Sequence, residues 1–67
     1  MELRAKLRDM RKERKLTQAG LEALSGVNRV NISKYEIGTS SPSLMTLSRI
    51  ADAFGVTMSE LLAGTEQ

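Results

Sequence analysis

The chain has no cysteine, no histidine and no tryptophan, and a single proline, Pro42, in 67 residues. Without cysteine a disulfide framework is impossible, and without cysteine or histidine the usual structural zinc ligands are missing. Serine, lysine and carboxylates remain, but no pattern sets a nucleophile beside a base, so no enzyme is expected and no metal or cofactor is called for. No apolar run approaches the roughly 20 residues that a membrane span needs, and no signal peptide is visible. A soluble, all-α, cytoplasmic domain is the expectation, with no membrane and no small-molecule substrate in view. The length supports one domain over 1–67. A chain of this size buries only about 60% of its unfolded surface. Its stability should be about 3–10 kcal/mol at 0.05–0.15 kcal/mol per residue.

Net charge is modest, at +2, but unevenly placed. Residues 1–15 hold seven lysines and arginines against three acids, a net +4, whereas residues 16–67 hold three against five, a net −2. A basic face on a near-neutral body suits a polyanion-binding module, or else marks a solvated amphipathic helix that happens to be basic.

Apolar spacing and caps divide the chain into five helices. Leu3, Leu7 and Met10 recur at helical spacing within 2–14. Thr17 is an N-cap for a helix over 17–24, and Gly26 suits the left-handed turn after it. Asn28 caps a helix over 28–36 with Ile32 and Tyr35 inward. Residues 37–42 read as a loop on composition. Ser43 caps a helix over 43–54 with Leu44, Leu47, Ile50, Ala51 and Phe54 in one apolar stripe. The run Thr57-Met58-Ser59-Glu60 has capping-box spacing and opens a last helix over 58–63. The result is a compact five-helix bundle.

The second and third helices, joined by a tight glycine turn, have the form of a helix-turn-helix. In that motif one helix crosses the DNA backbone and the next enters the major groove. On the third helix the outward and first-turn residues are Arg29, Val30, Asn31, Ser33 and Lys34. Arg29 and Lys34 can meet guanine O6 and N7, Asn31 can bridge adenine N6 and N7, and Val30 can pack on a thymine methyl. The alternatives are phosphate contact alone for the two cations and plain exposure for Asn31 and Ser33.

The ordered set Leu7, Arg11, Leu16-Thr17-Gln18, Leu21, Gly26-Val27, Ile32-Ser33, Tyr35-Glu36, Gly38, Pro42-Ser43-Leu44, Leu47, Ile50-Ala51, Gly55-Val56 and Glu60-Leu61 resembles the phage-repressor and Cro type of helix-turn-helix domain over about residues 3–63. The resemblance implies the lambda-repressor-like five-helix fold, base contacts at Arg29, Val30 and Lys34, and a buried ion pair between Arg11 and Glu36 that orients the recognition helix. It also implies a homodimer on double-stranded DNA. Backbone contacts would come from Arg8, Arg11, Lys12, Thr17, Gln18 and the loop residues Thr39, Ser40 and Ser41. Many relatives place lysine or arginine in that loop. Met58, Leu61 and Leu62, with Met45, are candidates for a dimer patch, or else simply cover the bundle.

Two positions depart from the pattern. Gly20 stands where glutamate usually completes a capping box, and Glu22 stands where a small alanine usually lies between the second and third helices. Both are expected to weaken the second helix, the first by about 1 kcal/mol of propensity, unless Glu22 pairs with Arg29 or a nearby lysine. The resulting expectation is a sequence-specific transcriptional regulator, of repressor kind, acting as a dimer on a palindromic operator. The alternative is an antitoxin-type interaction module that binds DNA secondarily.

Overall fold

A computed structural model describes residues 2–65. It contains five α-helices: α1 (Leu3–Glu13), α2 (Gln18–Ser25), α3 (Arg29–Ile37), α4 (Leu44–Phe54) and α5 (Met58–Leu62). The described residues include no strand. Each boundary lies within a residue or so of the sequence reading, because the caps set it. Thr17, Asn28, Ser43 and Thr57 each accept a main-chain N–H one to three residues into the helix that follows. Thr57 and Glu60 form the full reciprocal capping box.

Helix α1 stops by a device the sequence did not advertise. Lys15 takes a left-handed conformation, φ 57°. Around it the Leu16 N–H reaches the Arg11 carbonyl at 3.1 Å and the Lys15 N–H reaches that of Lys12 at 2.9 Å. This is the Schellman arrangement, with lysine in the place where glycine is usual.

One apolar stripe from each helix meets in the centre. Leu7 and Met10 of α1, Leu21 of α2, Ile32 of α3, Leu47, Ile50, Ala51 and Phe54 of α4, and Leu61 of α5 are buried, with Val27 of the α2–α3 turn among them. Three expectations are corrected here. Leu44 leaves the α4 stripe and is 74% exposed. Ile37 closes α3 instead of opening the loop. Leu61 is wholly enclosed, so it belongs to the core and cannot offer a dimer surface.

Helix α1 also supplies cations to the ends of other helices. Arg4 Nη1 donates to the Ile37 carbonyl at the end of α3 (3.3 Å), and Lys6 Nζ donates to the Ala63 carbonyl just past α5 (2.8 Å). Arg14 Nε donates to the Phe54 carbonyl at the end of α4 (3.0 Å), with its guanidinium 5.1 Å above the Phe54 ring. The last carbonyls of a helix lack internal partners and carry partial negative charge, so a cation there satisfies both needs. Much of the basic face is thus spent inside the fold.

Candidate nucleic-acid interface

Helices α2 and α3 are joined by Gly26, whose φ of 75° and open surroundings fit the left-handed turn. The axis of α3 is anchored from behind. Arg11 on α1 meets Glu36 in two parallel contacts, Nε to Oε2 at 2.7 Å and Nη2 to Oε1 at 2.9 Å, while its Nη1 donates to the Leu16 carbonyl at 2.8 Å. Gln18, the first residue of α2, donates its side-chain amide to Glu36 Oε1 at 3.2 Å. One carboxylate therefore ties α1, α2 and α3 together. Burial alone would push the Glu36 carboxyl up. The hydrogen bonds from Arg11 and Gln18, with the charges of Arg11 and Arg8, outweigh it and hold the carboxyl below the ordinary carboxylate value. The same pairing pushes the Arg11 guanidinium further up.

This geometry changes two assignments. Arg11 is buried, with three of its five donors committed inside the protein, so holding α3 is the role that the geometry displays. The Gln18 amide is turned onto Glu36 instead of standing unengaged at the helix start.

Facing away from that anchor, α3 leaves Arg29, Val30, Asn31 and Lys34 exposed, while Ser33 is half-buried. Val30 at 57% and Ile37 at 62% exposure continue the face at spacings of i, i+4 and i+7 through Lys34. Ile37 lies one residue beyond the helix that the sequence predicts over 28–36, in the stretch whose composition suggests a loop. Its place in the 30-34-37 repeat was the available signal. Thr39, Ser40 and Ser41 are exposed in the segment after α3, with the Thr39 hydroxyl 3.5 Å from the Lys34 carbonyl. Thr17 holds the Gly20 N–H through its hydroxyl at 2.9 Å. A methyl group on Gly20 would lie 3.3 Å from that hydroxyl oxygen, so the glycine sits in a tight spot as well as lacking the box partner.

Glu22 is not a misfit. It reaches across the turn to α3, where Oε2 accepts the Arg29 N–H at 3.0 Å and Oε1 lies 3.1 Å from Arg29 Nε. The first turn of a helix has N–H groups without internal partners, and a carboxylate is favoured there. The expected weak point is thus a cap for α3.

Of the α1 cations proposed for the backbone, Arg8 and Lys12 remain exposed, and Arg8 lies close enough to Glu36 to influence its charge. Of the candidate dimer patch, Leu61 drops out. Leu61 is core, and Met58 and Leu62 are half-buried against that core. The large exposed apolar side chains besides Val30 and Ile37 are Leu24, Leu44 and Met45.

The family model for the helix-turn-helix matches residues 7–61, which includes all of α2, the Gly26 turn and α3. The chain belongs to the helix-turn-helix family. Among curated relatives, the cryptic phage CTXphi transcriptional repressor RstR of Vibrio cholerae is 39% identical over 62 residues, covering 92% of this chain and 56% of its own length. The HTH-type transcriptional activator BcrR of Enterococcus faecalis is 41% identical over 66 residues, covering 98% of this chain and 32% of its own length. The HTH-type transcriptional regulator DdrOP3 of Deinococcus deserti is 35% identical over 66 residues, covering 98% and 51%. The chain therefore spans about half or less of these relatives, and the shared part is the helix-turn-helix domain itself.

Proposed function

We propose that this domain binds duplex DNA sequence-specifically as a transcriptional regulator of the repressor kind, with α3 in the major groove. The observation that carries the reading is the two-sided character of α3: its inner side is fixed through Glu36, and its outer side presents Arg29, Val30, Asn31 and Lys34. Those side chains have the donors and the apolar surface that read base edges. The names of the relatives, a phage repressor, an activator and a further transcriptional regulator, support the regulator reading, and the phage repressor favours repression.

Binding as a dimer to a palindromic operator completes the proposal. A nine-residue helix contacts too few base pairs to define a unique site alone. Two copies set about one turn, 10–10.5 bp, apart would double the reading length. Repression would follow from occlusion of polymerase. Selection of bound sites from random duplex DNA tests this, followed by insertion of five base pairs between the recovered half-sites. The expected result is an inverted repeat whose affinity collapses on insertion. A non-repeated site, or an affinity indifferent to the insertion, would refute the dimer.

A further inference from the structure

The single carboxylate of Glu22 holds residue 29 in two places, at its main-chain N–H and at its side-chain Nε. A helix cap needs only the first contact. The second restrains the root of a long, many-rotamer side chain that is 61% exposed and stands at the opening of α3. Arginine presents two pairs of parallel donors: an edge that includes Nε, and an end formed by its terminal nitrogens. The carboxylate lies beside Nε, 3.1 Å away, as an ion-pair contact. The terminal end remains the natural one to meet guanine O6 and N7. The negative charge has a further effect. It offsets attraction of Arg29 to phosphates, which is indifferent to sequence, and leaves base hydrogen bonding, which is not.

From this we infer that Glu22 is a specificity-determining positioning residue: it presets Arg29 for a guanine contact from the neighbouring helix. The inference rests on the reading of Arg29 as a base-contacting residue.

The test is binding-site selection on the wild-type protein, Glu22→Gln, Glu22→Ala, Arg29→Ala and the Glu22→Gln/Arg29→Ala double variant, with thermal melts to confirm folding. Glutamine retains an oxygen that can accept the Arg29 N–H, so it preserves the cap and removes the ion pair. Arg29→Ala should lower discrimination for guanine at one base pair by about 5- to 150-fold, the range of a bidentate arginine contact. Glu22→Gln should lower discrimination at that same base pair by about 1.5- to 5-fold, the range of an exposed ion pair, and leave the other positions alone. In the Arg29→Ala background Glu22→Gln should have no further effect on base preference. If Arg29→Ala leaves the profile unchanged, the reader role of Arg29 itself fails. If Arg29→Ala shifts one position and Glu22→Gln does not, the reader stands and the positioning role of Glu22 is overturned. Uniform weakening at all positions by Glu22→Gln would also overturn it, because that is the signature of a purely structural residue.

Discussion

Arg11 on α1 and Glu36 on α3 meet side-on, through contacts of 2.7 and 2.9 Å, with only 11% and 5% of their side chains exposed. A pair so enclosed has exchanged water for each other. Its geometry makes good much of what desolvation costs, and Gln18 and the Leu16 carbonyl take further hydrogen bonds. The arrangement sets the rotation of α3, and with it the face that α3 turns outward.

Removing one partner should therefore be far more damaging than losing a surface charge. Arg11→Ala strands the Glu36 carboxylate, at a cost of about 3–5 kcal/mol for a broken buried pair. Against a total of about 3–10 kcal/mol, the variant should lose roughly a third or more of its stability. Denaturant titration checks this. A variant within about 0.5 kcal/mol of wild type would mean that the pair is not buried in solution. Replacing both partners with apolar residues, Arg11→Met with Glu36→Leu, should recover much of the loss.

Acid should find the same pair. The Glu36 carboxyl lies lower in the folded protein than its unfolded value of about 4.3. Its contribution is therefore fully present above that value and is lost as pH falls through the folded one. Glu60, held low by the Thr57 N–H, acts in the same direction. Stability should stay level with respect to these two groups from neutrality to about pH 5 and decline below about pH 4. An NMR titration of the Glu36 carboxyl carbon should give a midpoint below 4.3. A midpoint above it would contradict the assignment.

Lys15 offers a gain. Its left-handed backbone costs a residue with a Cβ about 1–2 kcal/mol, and glycine avoids most of that. After the extra entropy of an unfolded glycine, Lys15→Gly should add about 0.5–1 kcal/mol. For a domain of this size that is about 2–8 °C in Tm. A fall in Tm would show that the lysine side chain has a stabilising contact outweighing the strain.

Salt dependence should separate the two uses of the basic residues. Arg8, Lys12, Lys15, Arg29 and Lys34 are exposed, whereas Arg4, Lys6 and Arg14 already serve helix ends. With about 3–5 phosphates neutralised per protomer, the log–log slope of affinity against salt should be about −2.7 to −4.5 per protomer. Arg8→Ala or Lys12→Ala should reduce its magnitude by about 0.9 each, while Lys6→Ala should lower Tm and leave the slope unchanged. An equal loss of slope in Lys6→Ala and Lys12→Ala would refute this division.

The helices were legible because α2 to α5 each begin at a short polar cap and α2, α3 and α4 each end at a glycine. Thr17, Asn28, Ser43, Thr57, Gly26 and Gly55 act locally, within a few residues, and local chemistry is written in order along the chain. The outward set on α3 was legible for the same reason, through its period, except for Ile37. What could not be read were contacts between main-chain carbonyls and distant cations. Arg4, Lys6 and Arg14 find acceptors 33, 57 and 40 residues away. A carbonyl is present in every residue, so no residue type betrays that one is waiting. For Glu22 the sequence leaves a misfit and a pair with Arg29 both open, and the α3 N-terminus within its reach decides for the pair. Leu61 and its neighbour Leu62 look alike in sequence, and only the docking angle of so short a helix decides which is enclosed.

The Lys6 bond to Ala63, together with the complete enclosure of Leu61, has a consequence for how the domain is made. On the ribosome α1 emerges first, but the acceptor for Lys6 and the last piece of the core emerge some fifty residues later. A nascent chain halted at Phe54 would already have four helices' worth of sequence and yet lack the side chain that closes their centre. Closure of the core among the described residues is thus tied to the emergence of α5, so a chain halted before it should lack the finished core.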